Sequence, residues 1–234
     1  PYGNCALTLI YKLRDKMKKA IYVLMISMLT FVGKAYAEIS FGVSASLTQI
    51  DASGTETEGG ERTSSTADNL VVVPSLFVEY GFSDAISIGL DYIPLSADVS
   101  KNTKSRTDIE TSVTGNAATV ATSRTQKAQA ELSNHTTLYA NYMVTDTVFI
   151  KAGVAYVELD ATESLGTGSK YGSEDIYGGA FGIGAKADNM RVELLYTDYE
   201  DISLKSSVAR TGVTKNNTID AELDTLQFKI SYAF

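Results

Sequence analysis

The sequence predicts an all-β fold: an eight-stranded antiparallel up-and-down transmembrane β-barrel with short turns at one end and long loops at the other. Three observations predict it. Apolar and polar residues alternate with period two in segment after segment, the mark of a strand with two unlike faces. Short and long connections between those segments alternate strictly. Charged residues inside the segments share one face, and large apolar residues the other.

The first element is not a strand. "AIYVLMISMLTFV", Ala20 to Val32, follows Met17, Lys18 and Lys19 and precedes "GKAYA". The run is too short to cross a bilayer as a helix. Its basic start, apolar middle and Ala-x-Ala ending read as a secretory signal peptide over 17–37, with cleavage expected after Ala37. A buried core helix is the alternative, and nothing amphipathic lies nearby to cover it. Residues 1–16, "PYGNCALTLIYKLRDK", stand upstream of Met17 and read as an extension outside the fold. Cleavage would remove Cys5, the only cysteine, and with it any disulfide or thiol chemistry. It would also remove Lys12, Arg14, Lys16, Lys18, Lys19 and Lys34 against the single acid Asp15. The rest of the chain is then more acidic than the whole, whose net charge is −8. That balance argues against nucleic acid as a partner.

From Glu38 the alternation is immediate. "EISFGVSASLTQI" places Ile39, Phe41, Val43, Ala45 and Leu47 on one face, with Ser40, Gly42, Ser44, Ser46 and Thr48 on the other. Further strands are expected over 70–82, 86–95, 130–144, 148–159, 176–187, 190–202 and 219–234. "SDA" at 83–85, "TDT" at 145–147 and "DN" at 188–189 are tight turns. The intervening loops, 51–69, 96–129, 160–175 and 203–218, are long and rich in Ser, Thr, Gly and charge. The second of them keeps a weak polar alternation around Gly115 and Asn116 and predicts a hairpin projecting into solvent. Ten strands, with that loop re-entering the membrane, is the open alternative. No helix-period segment follows the leader, so the sheet must close on itself or stack in two layers.

Parity decides which face points outward. One face collects Val72, Leu76, Val78, Ile88, Leu90, Leu138, Ile150, Val154, Ile183, Val192, Leu194, Phe228 and Ile230. The other collects Glu79, Asp91, Glu131, His135, Lys151, Lys186, Arg191, Glu193 and Lys229, together with small residues such as Gly42, Gly89, Gly153, Gly182 and Gly184. An eight-stranded interior is narrow and needs small residues. Turning Lys151, Lys186, Arg191 and Lys229 toward lipid would cost about 2–4 kcal/mol each near the midplane. They are therefore expected inside, where Glu79, Asp91, Glu131 and Glu193 can neutralise them. Tyr80, Phe82, Tyr142, Tyr232 and Phe234 cluster beside the short turns, and Tyr92, Tyr156 and Tyr196 lie toward the long loops. These are two aromatic girdles without tryptophan.

The last strand, with Leu226, Phe228, Ile230, Tyr232 and the final Phe234 in alternation, resembles the terminal assembly signal of bacterial outer-membrane barrels. With "KAGVAYVE", "AFGIGAKA" and "RVELLYTDY", residues 38–234 resemble the small eight-stranded family typified by outer-membrane protein X and the transmembrane domain of outer-membrane protein A. The resemblance implies an outer-membrane location, periplasmic short turns, extracellular long loops and delivery by the barrel-assembly machinery. Because the chain ends at Phe234, no periplasmic peptidoglycan-binding domain and no cell-wall tethering are expected.

Little in the sequence points to catalysis. His135, the only histidine, shares its expected face with Ser133 and Glu131, the group types some lipid-modifying barrels use. A closed inner face is nevertheless shut to an acyl chain, and an inner polar network is the plainer role. "YGGAFGIGAKA" lacks the G-x-G-x-x-G order and a following helix, so no cofactor is expected. The acids Asp51, Glu56, Glu58, Glu61 and Asp68 lack calcium-loop spacing, so no metal is expected either. Lys101, Lys104 and Arg106 make the second loop basic, suited to lipopolysaccharide phosphates. The residues favour a monomeric anchor with a charge-paired interior and loops that meet lipopolysaccharide, other outer-membrane lipids or a host surface as an adhesin. A small passive pore is the alternative, with a lipid-active enzyme and a soluble lipocalin-like binder behind it.

Overall fold

The structure, a computed structural model, describes residues 38–58, 61–112, 120–164, 170–207 and 217–234. The chain divides into two units, Pro1–Ala37 and Glu38–Phe234. The expected signal peptide and the extension before it lie outside the described residues. The second unit carries β1 (Glu38–Glu58), β2 (Glu61–Gly81), β3 (Ile86–Tyr92), β4 (Ala97–Asp98), β5 (Lys104–Ser112) and β6 (Val120–Ala128). It continues with β7 (Ala130–Met143), β8 (Val148–Ala161), β9 (Ser173–Ala187), β10 (Met190–Tyr199), β11 (Ile202–Lys205) and β12 (Thr218–Ala233). The order β1-β2-β3-β7-β8-β9-β10-β12 is antiparallel throughout, and β1 pairs with β12 to close a ring of eight. Closure leaves the ring without an edge strand around its lower wall, the condition for a sheet to span a membrane.

β4 lies on β7 and β11 on β12, while β5 and β6 form a two-stranded sheet of their own, with Lys127 bridging to Ser164. The second loop is therefore a separate ribbon, and the ten-stranded alternative does not hold. The β5–β6 register runs from Lys104 opposite Ala128 to Ser112 opposite Val120. β1 and β2 run far beyond their expected ends, continuing as a hairpin through "DASGTETE" and "ERTSSTADN". Beyond Ala52 and Ala67, which pack against the core, the extension carries only small and polar residues, so it shows no apolar period and reads as a loop in the sequence.

Apolar sidedness reverses along the strands. In the part nearest the short turns, large apolar groups point out: Phe41, Val72, Val78, Ile150, Phe181 and Phe228 are all exposed. Beyond a definite level they point in: Ile50, Val157, Ile176, Leu223 and Ile202 are buried. The lower part has the sidedness of a membrane barrel and the upper part that of a water-soluble one. A lipocalin-like arrangement, apolar inside over its full height, is not what the chain adopts.

The switch level is marked by one rung. Asp198 pairs with Asp224, Asp224 with Asp51, and Asp51 with Asp68, which sets four aspartates side by side on the outer faces of β10, β12, β1 and β2. One rung lower stand Tyr196, Leu226, Gln49 and Leu70. The step from apolar to anionic over two residues fixes where hydrocarbon ends.

Among the described residues the wall has one seam, between β2 and the chain after β3. β2 pairs with β3 only from Leu76 to Gly81, because β3 stops at Tyr92, two residues before Pro94. Above that, Leu70–Ser75 has its ladder toward β1 alone, and Pro74, which cannot donate, sits in this stretch. The chain from Ile93 instead follows β7, through Ile93 N–H to His135 O at 3.0 Å and Val99 N–H to Ala130 O at 2.8 Å.

Candidate functional site

The interior is built in layers. Nearest the short turns, aromatic rings lie over glycines. A Cβ on Gly42 would meet Phe77, one on Gly89 would meet Tyr139, and one on Gly184 would meet Phe149, each well inside contact distance. These glycines are where large rings can enter a narrow barrel.

Interleaved with these rings, Glu79 standing opposite Gly89 and Asp91 opposite Phe77, are three ion pairs. Arg191 grips Glu79 with both forks, Nη1 to Oε2 at 2.6 Å and Nη2 to Oε1 at 3.1 Å. Tyr139 and Asn141 also donate to Glu79 Oε2, at 3.1 and 2.9 Å. Lys229 reaches Asp91 Oδ1 at 2.9 Å, and Ser75 donates to Asp91 Oδ2 at 3.1 Å. Lys151 meets Glu193 Oε2 at 2.5 Å and lies 4.0 Å from the centre of the Tyr139 ring. Lys229 also comes within 4.0 Å of Glu193 Oε1, joining two pairs into one network. Three acids face three bases, and added hydrogen bonds meet the remaining lone pairs, as buried charge requires.

Two residues expected in this network stand apart from it. Lys186 has inner parity at the short-turn end, opposite Arg191, and no ion pair among the described residues includes it. Glu131 is not inside. The β7–β8 register shifts between Ser133 and Thr136, with Asn134 at a φ of 54°. This bulge reverses parity, as an extra residue must. Leu132 is consequently buried, and Glu131 turns outward opposite Asp160. The same reversal separates His135 from Ser133 and Glu131, so the three groups do not converge. His135 instead points inward, its Nε2 hydrogen-bonded to the Tyr199 hydroxyl at 2.8 Å.

Above the ion pairs come small hydroxyl groups, Ser46, Thr48, Thr137, Thr197 and Thr225, and Gln227, all buried. Above the aspartate level, Ile50, Leu132, Val157, Ile176, Ile202 and Leu223 form a continuous apolar core that fills the upper barrel. The parity reading expected a polar interior throughout. It missed this core because the inward apolar residues appear only where the outer surface meets water. Their signal was present: each stands next to an outward acid, as in Ile50-Asp51, Val157-Glu158 and Leu223-Asp224.

The outer surface carries the girdles. Tyr80 and Phe82 pack edge to face at 4.8 Å between centroids, as do Tyr232 and Phe234 at 5.2 Å. Phe41, which the sequence reading left out of the girdle, stacks on Phe234 at 5.8 Å. Tyr142, Tyr92 and Tyr196 are exposed on the outer wall. Tyr156 pairs with Tyr177 across strands and donates to Asp175 at 2.9 Å. Leu226, Phe228, Ile230 and Tyr232 of β12 all face outward. At the rung above the girdle, burial and the neighbouring Asp51 and Asp198 push the Asp224 carboxyl above its ordinary range. Asp160, likewise raised by burial, is also raised by Glu158 and Glu131.

At the top, the third loop folds over the β1 wall, where the Tyr171 hydroxyl donates to Glu56 Oε1 at 3.0 Å. Lys127 exchanges backbone bonds with Ser164, tying the base of the β5–β6 ribbon to the same loop.

No protein-family profile and no curated protein matches the chain in sequence. Among solved structures the chain is similar to Ail, the attachment invasion locus protein of Yersinia pestis, at 12% identity and a TM-score of 0.42, over 84% of this chain and 99% of that one. It is similar to Neisserial surface protein A at 12% identity and a TM-score of 0.40, over 86% of this chain and 100% of that one. Outer membrane protein AlkL is similar at 13% identity and a TM-score of 0.45, over 86% and 93%.

Proposed function

We propose that the chain is a bacterial outer-membrane surface barrel in which the lipid-embedded part is a sealed anchor and the extracellular extension carries the interaction. One observation supports this reading most. The interior is occupied from end to end by ring-on-glycine packing, a charge-neutral network and an apolar core. Eight strands leave an interior that side chains only just fill, which supports a sealed bore over an open one.

Export after Ala37, recognition of Leu226, Phe228, Ile230, Tyr232 and Phe234 by the assembly machinery, and a monomeric state belong to the same proposal. The contacts proposed for the extension are lipopolysaccharide phosphates, through Lys101, Lys104 and Lys127, and host surfaces. The readout is single-channel conductance of the membrane-extracted protein in a planar bilayer, with heat-modifiable gel mobility to certify folding. Folded protein is expected to give no discrete openings, and Lys229→Ala or Arg191→Ala to give them. Discrete openings from the unaltered protein would replace the anchor with a small passive pore.

A further inference from the structure

We propose that the wall seam between β2 and Ile93–Asp98 is a lipid slot that takes one acyl chain, with its polar linkage, from the surrounding outer leaflet. The seam is a local break in hydrogen bonding. Over Leu70–Ser75 the β2 backbone has ladder partners on the β1 side only, and β3 has already ended at Tyr92. Side-chain bridging begins higher up, where Asn69 Nδ2 donates to Asp98 O at 2.7 Å.

Depth identifies the occupant. Asp68 lies on the aspartate rung, so the residues just below it stand in the outermost hydrocarbon and its interface. Leu70 and Val72 are 57% and 71% exposed, and Leu95 across the seam is 55% exposed. These side chains are wetted by lipid. An open strand edge facing hydrocarbon is disfavoured, because each unpaired backbone group there has no water to bond. An acyl chain alone cannot meet those groups. A lipid's ester, amide or hydroxyl linkage can, and linkages lie at this depth.

The floor of the seam suits a chain. Val73 and Ile93 are each 5% exposed, so the slot runs from exposed apolar residues to buried ones, with the Ser46 hydroxyl donating to Val73 O at 3.3 Å behind it. Pro74 and Pro94 flank it and contribute no N–H groups.

The inference rests on the membrane reading above, and the test separates the two. The chain contains no tryptophan, so single-tryptophan variants report without background. Ile93→Trp, Val72→Trp and Val157→Trp, extracted from producing bacteria and certified by gel mobility, are reconstituted with phospholipid brominated on its acyl chains. Val72→Trp reports outer lipid contact and Val157→Trp the sealed core. A slot predicts that Ile93→Trp is quenched to at least half the extent of Val72→Trp while Val157→Trp is spared. Val73→Trp, on the opposite wall, is expected to agree, and stands in if Ile93→Trp fails to fold. Quenching of Val72→Trp with Ile93→Trp and Val73→Trp spared overturns the slot and leaves the membrane reading. Quenching of the seam reporters by acrylamide but not by bromolipid makes the seam a water cleft and overturns the slot. Equal quenching of Val157→Trp overturns it as general lipid entry. An unquenched Val72→Trp overturns the membrane reading itself.

Discussion

Lys229 is 2% exposed, contacts Asp91 directly and lies near Glu193, so its removal would leave an uncompensated carboxylate in the barrel. Lys229→Ala is expected to lower stability by about 3–5 kcal/mol, and Lys229→Met with Asp91→Leu to recover most of that loss. Urea titration followed by gel mobility measures both. Asp224 presents the opposite case. Its carboxyl is raised by burial and by Asp51 and Asp198, so the folded state binds its proton more tightly than the unfolded state does. The unfavourable contribution is absent below the unfolded pKa and grows as pH rises toward the folded one. Asp224→Asn is therefore expected to raise the melting temperature at neutral pH and to lose that advantage under acid. A neutral-pH melting temperature equal to or below that of the unaltered protein would contradict the like-charge account of the rung.

In β7 the bulge is held by a left-handed residue, Asn134, whose side chain donates to Glu158 at 3.0 Å. Asparagine and glycine tolerate that conformation, and a β-branched residue does not. Asn134→Val is expected to cost about 1–3 kcal/mol and Asn134→Gly much less. Similar losses from both would show that the Glu158 contact matters more than the backbone. β3 makes a packing prediction of the same kind. A Cβ on Gly89 would stand well inside contact distance of the Tyr139 ring, whose hydroxyl also serves Glu79. Gly89→Ala should destabilise by about 1–3 kcal/mol through overpacking, which the same titration reads. β5 and β6 form a two-stranded sheet of their own, and a two-stranded ribbon contributes little to its support. Replacing 105–126 by a short Gly-Ser linker is expected to leave barrel folding and heat-modifiability unchanged.

Taken together, the strands build two barrels end to end, with one sidedness in lipid and the reverse above it. Each strand makes the exchange within a few residues: Leu47 out then Ile50 in, Val154 out then Val157 in, Leu226 out and Leu223 in. The solvent around the wall is what changes, and the apolar groups follow the drier side.

The sequence by itself determined the eight wall strands, the tight turns, the solvent hairpin of the second loop, the lipid-facing residues and most of the inner charges. Period two and charge parity carry that information residue by residue. Only the tertiary structure decided the pairings of the charges, since parity gives a face and not a partner. It also decided that Glu131 leaves the interior, because one bulge residue reverses everything beyond it. The aspartate rung, the wall seam and the upper apolar core likewise depend on register. Register is a relation between strands distant in the chain, and no single stretch of sequence records it.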